Sequence, residues 1–417
     1  MSASGRFVAR WLVTGALLAG VVGGCGGKGE EETPSGGGGE SGSIKTGPGV
    51  TAETIRLGVM TDLSGVFAAL GEPIVQGTQL FWDRQNGAGG VCDRQVELAV
   101  KDHGYDPQKA VVQYRELSDV AALQQLLGSP MTAALLPRLQ SDSMLSMLAA
   151  WPSGLLGEEV VGILGATYDV EIQNLLGFLM AAGKLEEGDK IGHIYFEGDY
   201  GESGLEGSKA FAEANGMTVV EQKIKATDED MSGQVGALKR AGVKAVALST
   251  SPAQTASAVG VGAAQGLTVP FVGNGPTWDP ALLESPAAKA VKALLFVAGS
   301  AAPFNAKEPG PQEASAAFTK AHPDAPGKAS VIVGWAQGRI MYEALDQACR
   351  DRDLTREGIV AAFRKLSDVD LEGLTAGPLD YTAVGEPPSR ATHISQPAEV
   401  PGGLKVTEIV DGDDSGQ

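Results

Sequence analysis

The sequence predicts an α/β protein of mostly parallel sheets flanked by helices, long enough for two lobes or more. Three observations carry this. Residues 55–60 read as a strand, 61–71 as a polar loop containing glycine, 73–86 as a helix and 96–101 as a second strand, which is one βαβ unit. The same alternation of strand and helical period recurs along the chain, the pattern of parallel sheets covered on both faces. The chain has 417 residues, 43% of them hydrophobic and 20% charged, so it can bury a large core. The first helix opens with Pro73 in its first turn, where a missing N–H costs nothing, and stops at Asn86-Gly87, a pair suited to a left-handed cap. In such sheets a ligand sits off the carboxyl ends of the strands, here the loop holding Asp62, Ser64, Gly65 and Phe67.

The 51 acidic and 32 basic residues give a formal charge of −19, which argues against a nucleic-acid partner and for a solvated acidic surface. Residues 1–24 read as a targeting segment. Arg6 and Arg10 form a positive region, residues 11–22 an apolar run too short to span a bilayer, and Val22-Gly23-Gly24-Cys25 a small-residue cleavage site. This resembles a bacterial lipoprotein signal, and the resemblance implies lipid attached to Cys25. Residues 25–50 are rich in Gly, Ser and Glu and are expected to be a disordered tether with a reach of roughly 25–30 Å. No later run is long and uncharged enough to span a bilayer.

The opening strand followed by Leu63-Ser64-Gly65, Ala68-Ala69-Leu70-Gly71 and Gln76-Gly77, then the run at 86–91 and the stretch 102–111, resembles the leucine/isoleucine/valine-binding protein family. The resemblance extends over nearly all of residues 51–395. It implies the type I periplasmic binding fold: two lobes, three hinge crossings and a ligand in the cleft. On that frame the first lobe comprises residues 51–167 and 298–388, the second 168–297 and 389–417. Residues 108–118 are a helix and 121–127 a strand. The next helix begins near Thr132, a plausible N-cap, and either starts nearer Pro137 or kinks there. The resemblance implies that Thr132, with the backbone of Met131 and Ala133, holds a ligand carboxylate. Residues 144–150 form a short strand, with Trp151 and Ser153 in its exit loop, where the family is richer in serine and threonine.

Residues 160–164 are expected to be the first crossing, and 171–182 a helix. Strand 190–196 leads to the loop containing Tyr200-Gly201, where the family's tyrosine faces the ligand. Residues 217–224 and 245–249 are strands, 231–241 and 254–265 helices. The loop with Ser251 replaces the family's aromatic and glycine residues, which implies a smaller and more polar pocket. Asn274 to Trp278 leave strand 269–273. The family's ammonium-binding acid falls at Gly275 here, so a zwitterion would need another acid, such as Asp279. Residues 293–298 are the expected second crossing, 314–321 and 331–348 helices, 353–366 the start and body of another. Residues 389–408 are expected to return to the second lobe. Phe67, Leu70 and Trp151 would receive an apolar tail, and Tyr200 with Ser251 would latch the second lobe.

Cys92 and Cys349 remain once Cys25 is modified, and in an exported protein two such thiols are expected to pair. Four isolated histidines, with no HExxH, paired CxxC or GxSxG pattern, give no catalytic or metal constellation, and no cofactor is expected. The resemblance therefore implies a non-enzymatic, lipid-anchored binding component of an ABC importer on the outer face of the cytoplasmic membrane. It would take a small polar or amino-acid-like solute, a branched-chain amino acid or an amide, and deliver it to membrane permease subunits. The alternative is a sensor that presents its ligand to a membrane receptor or kinase.

Overall fold

The computed structural model describes residues 44–412, and the signal segment, Cys25 and most of the expected tether lie outside them. Along the chain run β1 (Lys45–Thr46), β2 (Thr54–Thr61), α1 (Ala68–Gly87), β3 (Gln95–Asp102), α2 (Pro107–Tyr114), β4 (Ala122–Leu127), α3 (Ser129–Ser141), β5 (Ser146–Ala149) and β6 (Val161–Gly162). Then follow α4 (Tyr168–Ala181), β7 (Lys190–Phe196), α5 (Asp199–Ala214), β8 (Thr218–Ile224), α6 (Ser232–Ala241), β9 (Ala245–Ser249), α7 (Pro252–Gln265), β10 (Phe271–Asn274), α8 (Ala288–Leu294) and β11 (Leu295–Gly299). The chain ends with α9 (Pro309–Ala321), α10 (Ala329–Arg350), β12 (Asp353–Leu354), α11 (Arg356–Phe363), β13 (Thr392–Pro397) and β14 (Leu404–Val410).

Two sheets organise these elements. The first is a five-stranded parallel sheet in the order β3-β2-β4-β5-β6. The second has seven strands, β14-β13-β11-β10-β9-β7-β8, parallel except for the hairpin β13-β14 at one edge. The central strands β4 and β9 are buried along their whole length, as expected where helices cover both faces. The chain leaves the first sheet after β6, returns after β11 to place α10 against α1, and re-enters the second sheet at β13. Gly77 and Gly334 permit the close approach of α1 and α10, since a Cβ on either would lie 2.1 or 2.0 Å from a carbonyl oxygen of the other helix.

Several sequence expectations are corrected. Residues 44–50 are folded: β1 pairs in parallel with β12, Lys45 bonds Asp353 at 3.1 Å, and Val50 is buried. Helix α1 begins at Ala68, so Pro73 lies inside it and cannot donate to the carbonyl of Ala69. Lys328 Nζ supplies the missing donor at 3.2 Å. Helix α3 begins at Ser129 behind Gly128 (φ +97°), with Pro130 in its first turn, so Thr132 is not its cap. Residues 295–299 are a strand of the second sheet, and the second crossing follows them.

Cys92 and Cys349 form a disulfide with Cα atoms 6.2 Å apart, tying the chain after α1 to the end of α10.

Candidate functional site

The carboxyl ends of β2, β4 and β5 in one lobe face those of β7, β10 and β11 in the other. Between them lies a cavity of about 1040 Å³, counting its mouth. Its wall is mainly apolar. The loop after β2 is shaped by the buried Asp62, whose carboxylate accepts from the backbone N–H groups of Ser64 and Phe67 at 3.2 and 2.9 Å. That turn carries Phe67 into the cavity, where its ring lies 4.9 Å from Tyr105 and 6.1 Å from Tyr200 of the opposite lobe. Tyr168 packs 4.8 Å from Tyr200 and 6.1 Å from Trp151, all three rings lining the cavity. Burial pushes the Tyr168 and Tyr200 phenols well above their ordinary range, so both stay neutral.

Among the expected contacts, Phe67, Leu70, Trp151, Tyr200 and Trp278 line this wall. The hydroxyl of Tyr200 is already engaged, facing Asn274 Oδ1 at 2.9 Å and Thr250 O at 3.1 Å, so the residue offers its ring.

The polar residues expected at the site fall elsewhere. Ser64 is exposed and donates to Asp102 at 2.7 Å. Thr132 is buried behind the wall and donates back to Gly128 O at 3.1 Å, as a hydroxyl within a helix does when it has no outside partner. Met131 fills the core and Ala133 lies on the exposed face of α3. Ser153 crosses the cleft rim to Ser203 at 3.2 Å, Ser251 caps α7 in a capping box with Gln254, and Asn274 is buried behind Tyr200.

Four polar features of the wall were missed. Ser129, the first residue of α3, is 1% exposed, and its hydroxyl has no hydrogen-bond partner. It stands beside the first-turn N–H groups of a 13-residue helix, a natural place for an anion. Proline at the second helical position was the signal that moves the helix start here. Lys328, just before α10, reaches Asp279 of the opposite lobe at 2.7 Å, the two side chains being 18% and 5% exposed. Asp279 also accepts from Ala281 N at 2.8 Å, and no local pattern foretold its partner. It is the only acid among the lining residues described, and it is already paired. His393 and Ser395, on β13, complete the wall. Alternation along that strand was the available signal, since Ile394 between them is in the core. The expectation of a more polar pocket is therefore replaced by a mainly apolar, aromatic one.

Two α/β lobes whose parallel strands end at a shared cleft, crossed three times by the chain, define a bilobal solute-binding protein. The chain belongs to the periplasmic binding protein family, whose profile matches residues 54–399. That membership places it outside the cytoplasm. No helix among the described residues is long and apolar enough to cross a membrane.

A fatty acid ABC transporter substrate-binding protein from Thermomonospora curvata is 42% identical, with a TM-score of 0.86 over 89% of this chain and 96% of that one. A branched chain amino acid ABC transporter protein from Thermus thermophilus, with bound valine, shares the fold at 16% identity, with a TM-score of 0.76 over 86% of this chain and 96% of that one. A Leu/Ile/Val-binding protein homolog from Brucella abortus is 29% identical over 209 residues, 46% of this chain and 50% of the relative. The chain thus spans about half the length of the curated relatives it matches.

Proposed function

We propose that this chain is the lipid-anchored solute-binding component of an ABC importer, and that its ligand is a carboxylate with a long apolar tail. Cys25 would carry the lipid, and closure of the lobes over the ligand would create the surface that permease subunits distinguish from the open form. It binds its ligand without turnover.

The observation that carries the ligand class is the wall itself: aromatic and aliphatic over most of its area, with its one acid already neutralised by Lys328. An ammonium group entering this cavity would have to compete with that lysine for Asp279. A tail of about ten methylenes would contribute roughly 8 kcal/mol at ~0.8 kcal/mol each, before the cost of association. The carboxylate at Ser129 and the start of α3 would add roughly 1.5–3 kcal/mol, so the tail dominates affinity and the head sets orientation. The fatty acid binder at 42% identity supports the same class.

A small amino acid such as leucine is the second reading, favoured by the curated Leu/Ile/Val-binding relatives. Trp151 and Trp278 line the cavity and provide the assay. Titration of intrinsic fluorescence with dodecanoate, octanoate, leucine and valine is expected to show saturable binding of the fatty acids, tighter for the longer one. Saturation by leucine or valine with no response to either fatty acid would reverse the assignment. Mass spectrometry of the protein from its native membrane tests the lipid on Cys25.

A further inference from the structure

The carboxylate end and the apolar wall leave one part of the cavity unexplained. On β13 the side chains alternate: Thr392 bonds Asn174 of α4 and Ile394 enters the core, while His393 and Ser395 line the cavity. His393 is 6% exposed, and its Nδ1 has no hydrogen-bond partner. Burial pulls its imidazole below the ordinary range, so the ring is neutral, with one nitrogen a donor and the other an acceptor. The ring faces the backbone of Gly299, its cross-strand partner, and of Ser300, where carbonyl oxygens are available to the ring's N–H. Donation there from Nε2 leaves Nδ1 as a buried acceptor with nothing to accept, a situation native interiors rarely tolerate. Ser395 beside it is 2% exposed and has a hydroxyl that both donates and accepts.

We propose that His393 and Ser395 form a second polar subsite that recognises a hydroxyl group on the ligand's hydrocarbon chain. The preferred ligand is then a hydroxylated fatty acid. This rests on the fatty-acid reading above and deepens it. An alcohol matches the pair because it donates one hydrogen bond, to His393 Nδ1, and accepts another, from Ser395. A ketone would serve Ser395 and leave His393 empty, and a bare methylene would serve neither. The placement also gives the hydroxyl a part in closure. Ser129 belongs to the first lobe and His393 to the sheet of the second, so a ligand held at both ends joins the lobes.

The test is calorimetric titration of the wild-type chain, His393→Leu, His393→Asn and Ser395→Ala with dodecanoate and with hydroxydodecanoates whose hydroxyl is moved along the chain. One hydroxylated isomer is expected to bind about tenfold tighter than dodecanoate, the gain from one satisfied buried acceptor. H393L is expected to abolish that preference, each hydroxylated isomer then binding no tighter than dodecanoate does to the same variant. H393N, whose amide oxygen restores an acceptor near Nδ1, is expected to regain part of it, and S395A to reduce it even if H393L folds poorly. Binding of dodecanoate with no preference for any isomer, or a preference undiminished in both H393L and S395A, overturns this subsite alone. Failure of every fatty acid to bind overturns it together with the ligand class on which it rests.

Discussion

Replacing Lys328 by methionine tests how the two lobes are held together. Lys328 stands before α10, which packs on α1 of the first lobe; Asp279 follows β10 of the second. Their 2.7 Å ion pair therefore links the two lobes, and both side chains are more than four-fifths buried there. Removing one partner of a buried, hydrogen-bonded charge pair costs about 2–5 kcal/mol, largely because the other charge is stranded. Asp279 keeps one bond, from Ala281 N, so the lower half of that range applies. About 2–3 kcal/mol corresponds to a roughly 30- to 150-fold loss of affinity. Lys328 also donates to Ala69 O at 3.2 Å within the first lobe, so the ligand-free protein is expected to lose some stability as well. Titration with dodecanoate reads the affinity, and small-angle scattering reads the contraction on binding. Adding Asp279→Leu to K328M removes the stranded charge and is expected to restore most of the affinity. If K328M binds like the wild type, the latch reasoning is wrong. If the double variant is as weak as K328M, the lysine acts through the ligand or through Ala69 O and not through Asp279.

Ser129→Ala removes a hydroxyl that has no partner within the protein, so stability should hold while dodecanoate affinity falls about 3- to 10-fold. Thr132→Ala, whose hydroxyl serves its own helix, should leave affinity unchanged. Replacing Cys92 and Cys349 by serine opens a link between residues 257 apart and should cost about 2–4 kcal/mol in urea unfolding. His193, bonded to Ser208 and Ser249, and His103 are held neutral by burial, with pKa values lowered to about 3 and about 4. Their unfolded forms take up protons below about pH 6.5 while the native forms do not. Stability should therefore fall by up to about 1.4 kcal/mol per pH unit for each, from about pH 6 to pH 4, and chemical unfolding at several pH values measures it. Glu171 shows the opposite sign: burial, only partly opposed by the N–H groups of Gly275 and Ser300, raises its carboxyl well above the usual range. Its contribution is present at low pH and lost as pH rises, so Glu171→Gln should stabilise the protein at pH 8 relative to wild type and flatten that decline.

The apolar and aromatic part of the cavity was legible because it follows from position in the βα repeat. Phe67, Trp151, Tyr200 and Trp278 all leave the carboxyl end of a strand, and any parallel sheet gathers such residues at one edge. The polar part was not. Thr132 and Ser129 sit three residues apart beside the same turn, and what separates them is where α3 begins, fixed by Gly128 at φ +97°. Ser64, Ser153 and Ser251 look alike in sequence. One serves Asp102, one the facing rim and one a helix cap, because a hydroxyl takes whichever partner the fold brings near.

By itself the sequence determined the class of fold, most of the order of strands and helices and the aromatic residues at the strand ends, since these follow from local hydrophobic period and turn chemistry. Only the tertiary structure decided that Lys328 spends its charge on Asp279, that Ser129 and His393 keep unused hydrogen-bonding atoms in the cavity wall, and that residues 44–50 join the fold through β12. The physical reason is one of range. The period that makes a helix or strand is written within a few residues, whereas the partner of a charge or hydroxyl lies tens to hundreds of residues away and exists only once the lobes are packed.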